Sequence, residues 1–172
     1  MRKLHAVYAV YAVHAVAAVA AFAQAPTLSP NVRNFVTVDA PTVALTNLKV
    51  IDGTGAAARD DQTIVIAGGR ITAVGRTGQV PVPSGAQVLN LAGHTVIPGM
   101  MGLHDHLFYM AVGGRRVQAH FTAPRLYLAS GVTTIRTTGS QAPYAEINLK
   151  DQVDRGQAIG PRIFITAPYI TG

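Results

Sequence analysis

Three observations predict an α/β fold with an all-β flank. Residues 42–95 break into short β-rich runs separated by Gly- and Pro-containing turns. From residue 96 onward, strand-like and helix-like stretches alternate. The triplet His104-Asp105-His106 closes the apolar, strand-like run 95–103. Short strands with frequent turns read as part of a small β-sandwich, whereas alternation reads as parallel strands joined by helical crossovers.

The 172 residues suggest about one domain by length. There are no cysteines, which excludes disulfides and thiolate metal sites. A transition-metal site would therefore use His, Asp, Glu or a modified Lys. The net charge of +6 is modest, and Arg115-Arg116 is the only adjacent basic pair after the N-terminus. That scatter argues for solvated loop charges and against a nucleic-acid patch.

Residues 1–23 have the form of a signal peptide. Arg2 and Lys3 give a positive start, an Ala/Val-rich stretch follows to about Phe22, and Ala21-Phe22-Ala23 offers a small-x-small cleavage site. An uncleaved anchor is the alternative, since about twenty apolar residues span a bilayer. Either reading places the body outside the cytoplasm, periplasmic or secreted; cleavage implies no stable membrane insertion. Residues 24–41 form a Pro/Asn/Thr-containing linker.

In the β part, residues 43–51 read as a strand and Asp52-Gly53-Thr54-Gly55 as its turn. Gly53 to Ala58 imitates a dinucleotide fingerprint, but no helix is signalled there, and Arg59-Asp60-Asp61 looks like turn. Strands at 63–67 and 70–74 flank Gly68-Gly69 as a hairpin. Residues 87–91 and 94–97 are two more strands around Ala92-Gly93. Neither a G-x-S-x-G elbow nor a phosphate-binding glycine loop is present.

Residues 108–121 read as a long irregular loop. Thr122 is placed to cap a helix with Pro124 in its first turn and Gly131 past its end. Residues 132–136 are a β-branched strand. Pro143 opens a second helix, with Glu146/Lys150 and Asp151/Arg155 as i,i+4 pairs and Leu149 and Val153 on one face. Residues 162–166 form the last strand.

Side chains alternate on a strand, so His104 and His106 share a face and can ligate one metal ion. Asp105 should point the other way and pack. A catalytic metal usually takes at least three protein ligands. Tyr109 lies in the following loop, where it could contact substrate or simply pack. His94 reads as exposed and His120 as structural.

The motifs carry a resemblance. They are Ile51-Asp52-Gly53-Thr54-Gly55, the run from Ile66 to Gly75, the run from Gly93 to Leu107, Gly131-Val132-Thr133-Thr134-Ile135-Arg136, and Gly160-Pro161-Arg162-Ile163. In this order the chain resembles the N-terminal part of a metal-dependent amidohydrolase, in the imidazolonepropionase-like and prolidase-like branch. The resemblance implies a composite β-sandwich (42–95) followed by the first three strands of a TIM-type (β/α)8 barrel (96–172). It implies a divalent metal, commonly zinc, one or two ions, held by the His pair. A lysine after strand four, histidines after strands five and six, and a catalytic aspartate after strand eight would complete the site. Hydrolysis of a small amide, dipeptide or cyclic amide by metal-activated water is the implied reaction, and a homo-oligomer is compatible with it.

Only His104 and His106 carry over; the expected aspartate lies beyond the chain end. Lys150 sits in a helix and His120 is not at a strand end. Gly102 stands where many relatives have an acidic residue, and Arg136-Thr137-Thr138-Gly139 stands where many have Arg-Asp. The chain alone is expected to be inactive, and unstable with open sheet edges. The alternatives are a non-catalytic exported remnant with a vestigial His pair, and a mononuclear deaminase of the same superfamily.

Overall fold

The computed structural model describes residues 26–170. The signal-peptide reading of residues 1–23 lies outside the described residues. A short helix, α1 (Pro30–Arg33), is capped by the Ser29 hydroxyl, which accepts from Val32 N at 3.4 Å. Among the described residues no helix is long and apolar enough to cross a membrane.

The first sheet has five strands: β1 (Thr42–Val50), β2 (Arg59–Ala67), β3 (Arg70–Arg76), β4 (Gln87–Asn90) and β5 (Thr95–Val96). β1 to β3 form an antiparallel meander, while β4 and β5 add to β1 in parallel. The β2–β3 hairpin turns on Gly68 and Gly69, both at positive φ (55° and 73°), the geometry a two-residue hairpin turn demands. Leu48, Val50 and Ile64 form its core, with Leu45, Ile66, Leu91 and Val96 against them. This unit forms one five-stranded sheet.

Arg59-Asp60-Asp61 is strand, not turn. Its charges are accommodated by pairing: Lys49 with Asp60 at 3.2 Å and Arg59 with Asp52 at 3.6 Å. Asp61, at φ 53°, supplies a local irregularity and pairs with Arg76 at 3.5 Å. Asp52 Oδ1 accepts from Thr54 N and Oγ1, closing a side-chain turn with no helix after it, so the nucleotide-like glycines are turn residues.

The run 95–103 is two strands. Thr95–Val96 pairs with β1, and a new strand, β6 (Met100–Asp105), starts after Pro98-Gly99 in a different sheet. Proline has no N–H to give a ladder, so the strand breaks there. The second sheet is parallel, in the order β10-β9-β6, with β9 (Val132–Thr137) and β10 (Arg162–Phe164). Helix α2 (Ala123–Ala129) connects β6 to β9, and α3 (Pro143–Asp154) connects β9 to β10. This is the expected β-α-β-α-β order. Its core is Leu107, Ala119, Ala123, Ile135, Leu149 and Ile163, with Val153 packed against it as the shared helical face with Leu149 requires.

Three local readings are corrected. Residues 108–121 contain a hairpin, β7 (Phe108–Met110) with β8 (Arg116–Gln118), joined through a 3-10 turn at Val112–Gly114. Thr122 is itself helical and makes no side-chain cap; Ala123 N instead bonds Ala119 O at 2.9 Å. Glu146 does not pair with Lys150. Lys150 takes Asp154, and Glu146 turns inward and is fully buried. The second expected pair forms, Arg155 to Asp151 at 3.0 Å.

Candidate functional site: a cleft at the carboxyl ends of three parallel strands

The last residues of β6, β9 and β10 meet at one edge of the parallel sheet. They are laced together there. Thr138 N donates to Asp105 O at 3.0 Å. The Thr166 hydroxyl donates to Thr137 O at 2.7 Å and accepts from Gly139 N at 2.8 Å. Thr137, fully buried, lends its hydroxyl to Thr166 N at 3.2 Å. A cleft of about 930 Å3 opens over this edge. Its walls are the 104–106 triplet, the β7–β8 hairpin, Tyr127 of α2, the 140–143 entry to α3, and Pro168-Tyr169 after β10. Open parallel sheets and α/β barrels place ligands at this end, because the loops there converge while the strands hold them rigid.

His104 and His106 lie side by side with ring centroids 5.3 Å apart and planes at 88°. The same-face reading of the triplet therefore holds. Asp105 differs from its reading. The ladder to β9 shifts register between Gly102 and Asp105, which breaks the alternation, and Asp105 lines the cleft with the histidines. Its Oδ2 is buried without a hydrogen-bond partner. The carboxyl group folds over Gly102, so that a Cβ there would lie 2.6 Å from Asp105 Cγ. Tyr109 lines the cleft and is exposed.

Tyr169 explains the orientation of His106. Its hydroxyl is 3.1 Å from Thr138 O and 3.4 Å from His106 Nδ1. A phenol has one proton, and the carbonyl can only accept, so the proton goes to Thr138 O. The phenol oxygen then accepts from Nδ1–H of His106. In the neutral ring this hydrogen bond leaves Nε2 of His106 as the nitrogen free to bind a metal. Phe108 packs on the other contact of the ring, with centroids 5.0 Å apart. Burial pushes the Tyr127 phenol well above its ordinary range, and the neighbouring Asp105 carboxyl and Tyr109 phenol push it further. Tyr127 therefore stays a neutral donor beside Asp105.

The imidazoles suit zinc in donor chemistry and in tautomer. They do not complete a site: among the described residues no group of three His, Asp or Glu is arranged around one ion. His120 is outside the cleft, half-buried, with Nε2 buried and unpartnered; burial lowers its basicity and the Glu146 carboxyl partly restores it. His94 is exposed, with Nδ1 at 3.3 Å from Ala92 O. Tyr169 and Tyr127 were not singled out from sequence, and Arg116 was read there only as a solvated loop charge. Their one signal was position, just after a strand or on a crossover beside the His pair.

No family model and no curated protein matches the chain. Solved structures do. A putative prolidase from Bifidobacterium longum is 34% identical, with a TM-score of 0.64, over 77% of this chain and 32% of that one. A molinate hydrolase is 29% identical, with a TM-score of 0.65, over 77% and 31%. A Xaa-Pro dipeptidase with methionine bound in its active site is 27% identical, with a TM-score of 0.64, over 75% and 34%. The chain thus spans about a third of the length of the structures it matches. The fold is similar to the matching third of amidohydrolase-type structures. Within that class the chain resembles the prolidase-like branch.

Proposed function

We propose that the chain supplies the first part of the active site of an exported, zinc-dependent hydrolase of a small amide, dipeptide or cyclic amide. The observation that carries this is the His104/His106 pair, edge to face at the carboxyl end of β6, inside a cleft of about 930 Å3. The three-stranded sheet would be the start of a (β/α)8 barrel, and the five-stranded sheet one layer of a composite sandwich. Support comes from the similarity to a prolidase, a dipeptidase and a hydrolase, and from a parallel sheet whose exposed Met101, Leu103 and Phe164 call for cover.

In this reading His104 and His106 hold the metal, with Tyr169 fixing the His106 tautomer. A bound zinc supplies a water of lowered pKa and polarises the substrate carbonyl. Tyr109, Tyr127 and the Phe108 ring line the space where the acyl and amine portions would lie. Two donors fall short of the usual three, so the resemblance requires a lysine, further histidines and a proton-shuttling aspartate that the described residues do not provide. The second reading is a non-catalytic exported module with a vestigial His pair.

Zinc uptake separates the two. Metal analysis at added zinc should show binding that is lost in the double substitution His104→Ala/His106→Ala while the far-ultraviolet circular dichroism stays unchanged. In a protein that also carries the lysine, histidines and aspartate the resemblance requires, hydrolysis of a panel of Xaa-Pro dipeptides and N-acyl amides should follow zinc content. Zinc uptake that ignores the double substitution would remove the pair from the reaction; uptake without turnover would leave the module reading.

A further inference from the structure

We propose that Arg116 forms an anion-binding subsite in this cleft, so that the molecule taken is an amide carrying a free carboxylate. The inference rests on the hydrolase reading of the cleft. Arg116 is the only Lys or Arg among the residues lining it. Its side chain makes one bond, from Nη1 to Oε1 of Gln141, a neutral amide. No carboxylate lies within ion-pair distance of it among the described residues, although Arg33, Lys49, Arg59, Arg76, Lys150 and Arg155 each have an acidic partner. A guanidinium has five N–H donors, so most of its capacity is free.

The guanidinium is also held in place. The β7–β8 register sets Arg116 opposite Met110, which fixes its backbone on the rim of the cleft. Gln141 is anchored in turn, because it follows the buried Ser140, whose Oγ accepts from Ala142 N at 3.1 Å. A fork tethered at one edge loses less freedom when it closes on a planar carboxylate, and the two hydrogen bonds formed are charge-assisted. The only formal anion in the lining, Asp105, belongs to the His triplet at the strand end. The cleft therefore carries metal-ligand chemistry on β6 and a separate cation on β8. A neutral amide would leave that cation unused.

The test is a pair of probes, N-acetylglycine and N-acetylglycinamide, titrated by ligand-detected NMR against the zinc-loaded and the zinc-free protein. The acid should bind about tenfold more tightly than the amide. Arg116→Gln should reduce that preference to about twofold or less, and Arg116→Lys should restore part of it, since Lys keeps the charge but not the fork. Equal binding of the two probes, binding of neither, or a preference that survives in Arg116→Gln overturns the subsite. The last outcome assigns the acid to bound zinc. An acid preference in the zinc-free protein supports the subsite even where zinc uptake fails and the hydrolase reading falls. Loss of preference with zinc bound removes the subsite alone.

Discussion

Glu146 gives the sharpest stability prediction. Its side chain is 0% exposed, and neither carboxyl oxygen has a hydrogen-bond partner. It sits on the first turns of α3, one helical turn from Leu149 in the second core. Leaving a buried acceptor unpaired costs about 1–3 kcal/mol, and more if charged. Replacing buried ionic groups by apolar side chains of similar volume is often stabilising by about 1–4 kcal/mol. Glu146→Met keeps an unbranched side chain of similar size and should stabilise by about 2 kcal/mol. Glu146→Gln keeps the polar atoms and should gain about 1 kcal/mol or less. With a urea m-value of about 2 kcal/mol/M, the midpoint for the methionine variant should rise by about 1 M. Tyrosine fluorescence and circular dichroism through a urea titration read this directly. A methionine variant less stable than the parent would refute the reasoning, because it would mean that the carboxylate has a partner, such as a water or cation shared with the unpartnered Nε2 of His120.

Two further outcomes follow from named groups. Burial depresses His120 below its ordinary 6.5, so its contribution to stability is complete above that value and is lost as pH falls, where the unfolded chain takes the proton first. The urea midpoint should therefore drop between about pH 7.5 and about pH 5.5, and His120→Asn should flatten the drop; an unchanged slope would show that other groups set it. Gly139 stands at φ +81° with its α-carbon against the Tyr169 ring, and an added Cβ would collide with that ring. Gly139→Ala should cost about 1–3 kcal/mol and release Tyr169 from His106, seen as a shifted His106 imidazole resonance. An unshifted resonance would separate Tyr169 from the His106 tautomer.

The sequence made the His pair legible because period-two alternation is a local rule and His104 and His106 obey it. The βαβαβ order was legible for the same reason: Pro124, Gly131, Pro143 and Gly156 punctuate it at the helix ends. Asp105 was misread because a register shift against β9 overrides alternation, and that shift exists only once two strands are paired. The strand break at Pro98-Gly99 did have a local signal, the proline, but the continuous apolar run around it masked the signal. The charged triplet 59–61 resembled a turn until Lys49, Asp52 and Arg76 stood beside it. Lys150 has an acid four residues away in each direction, so spacing alone could not decide which it takes; burial of the first turn decided for Asp154. The cleft's remaining residues arrive from three separate strand ends and a hairpin, which no single-segment pattern can assemble.

Gly102 and Asp105 compete for one volume, and this has a consequence for which sequences the strand can carry. The space beside the His pair admits one carboxyl group. At present it comes from position 105 and reaches back over a residue with no side chain. An acidic residue at 102 would fill the same space from the other side, but only after position 105 gave it up. Either change alone passes through a state with two side chains in that space or with none. The two positions are thus expected to exchange together, so that Gly102→Asp is harmful in the parent and tolerated beside Asp105→Gly, a sign reversal that a double-mutant cycle would register as coupling between them.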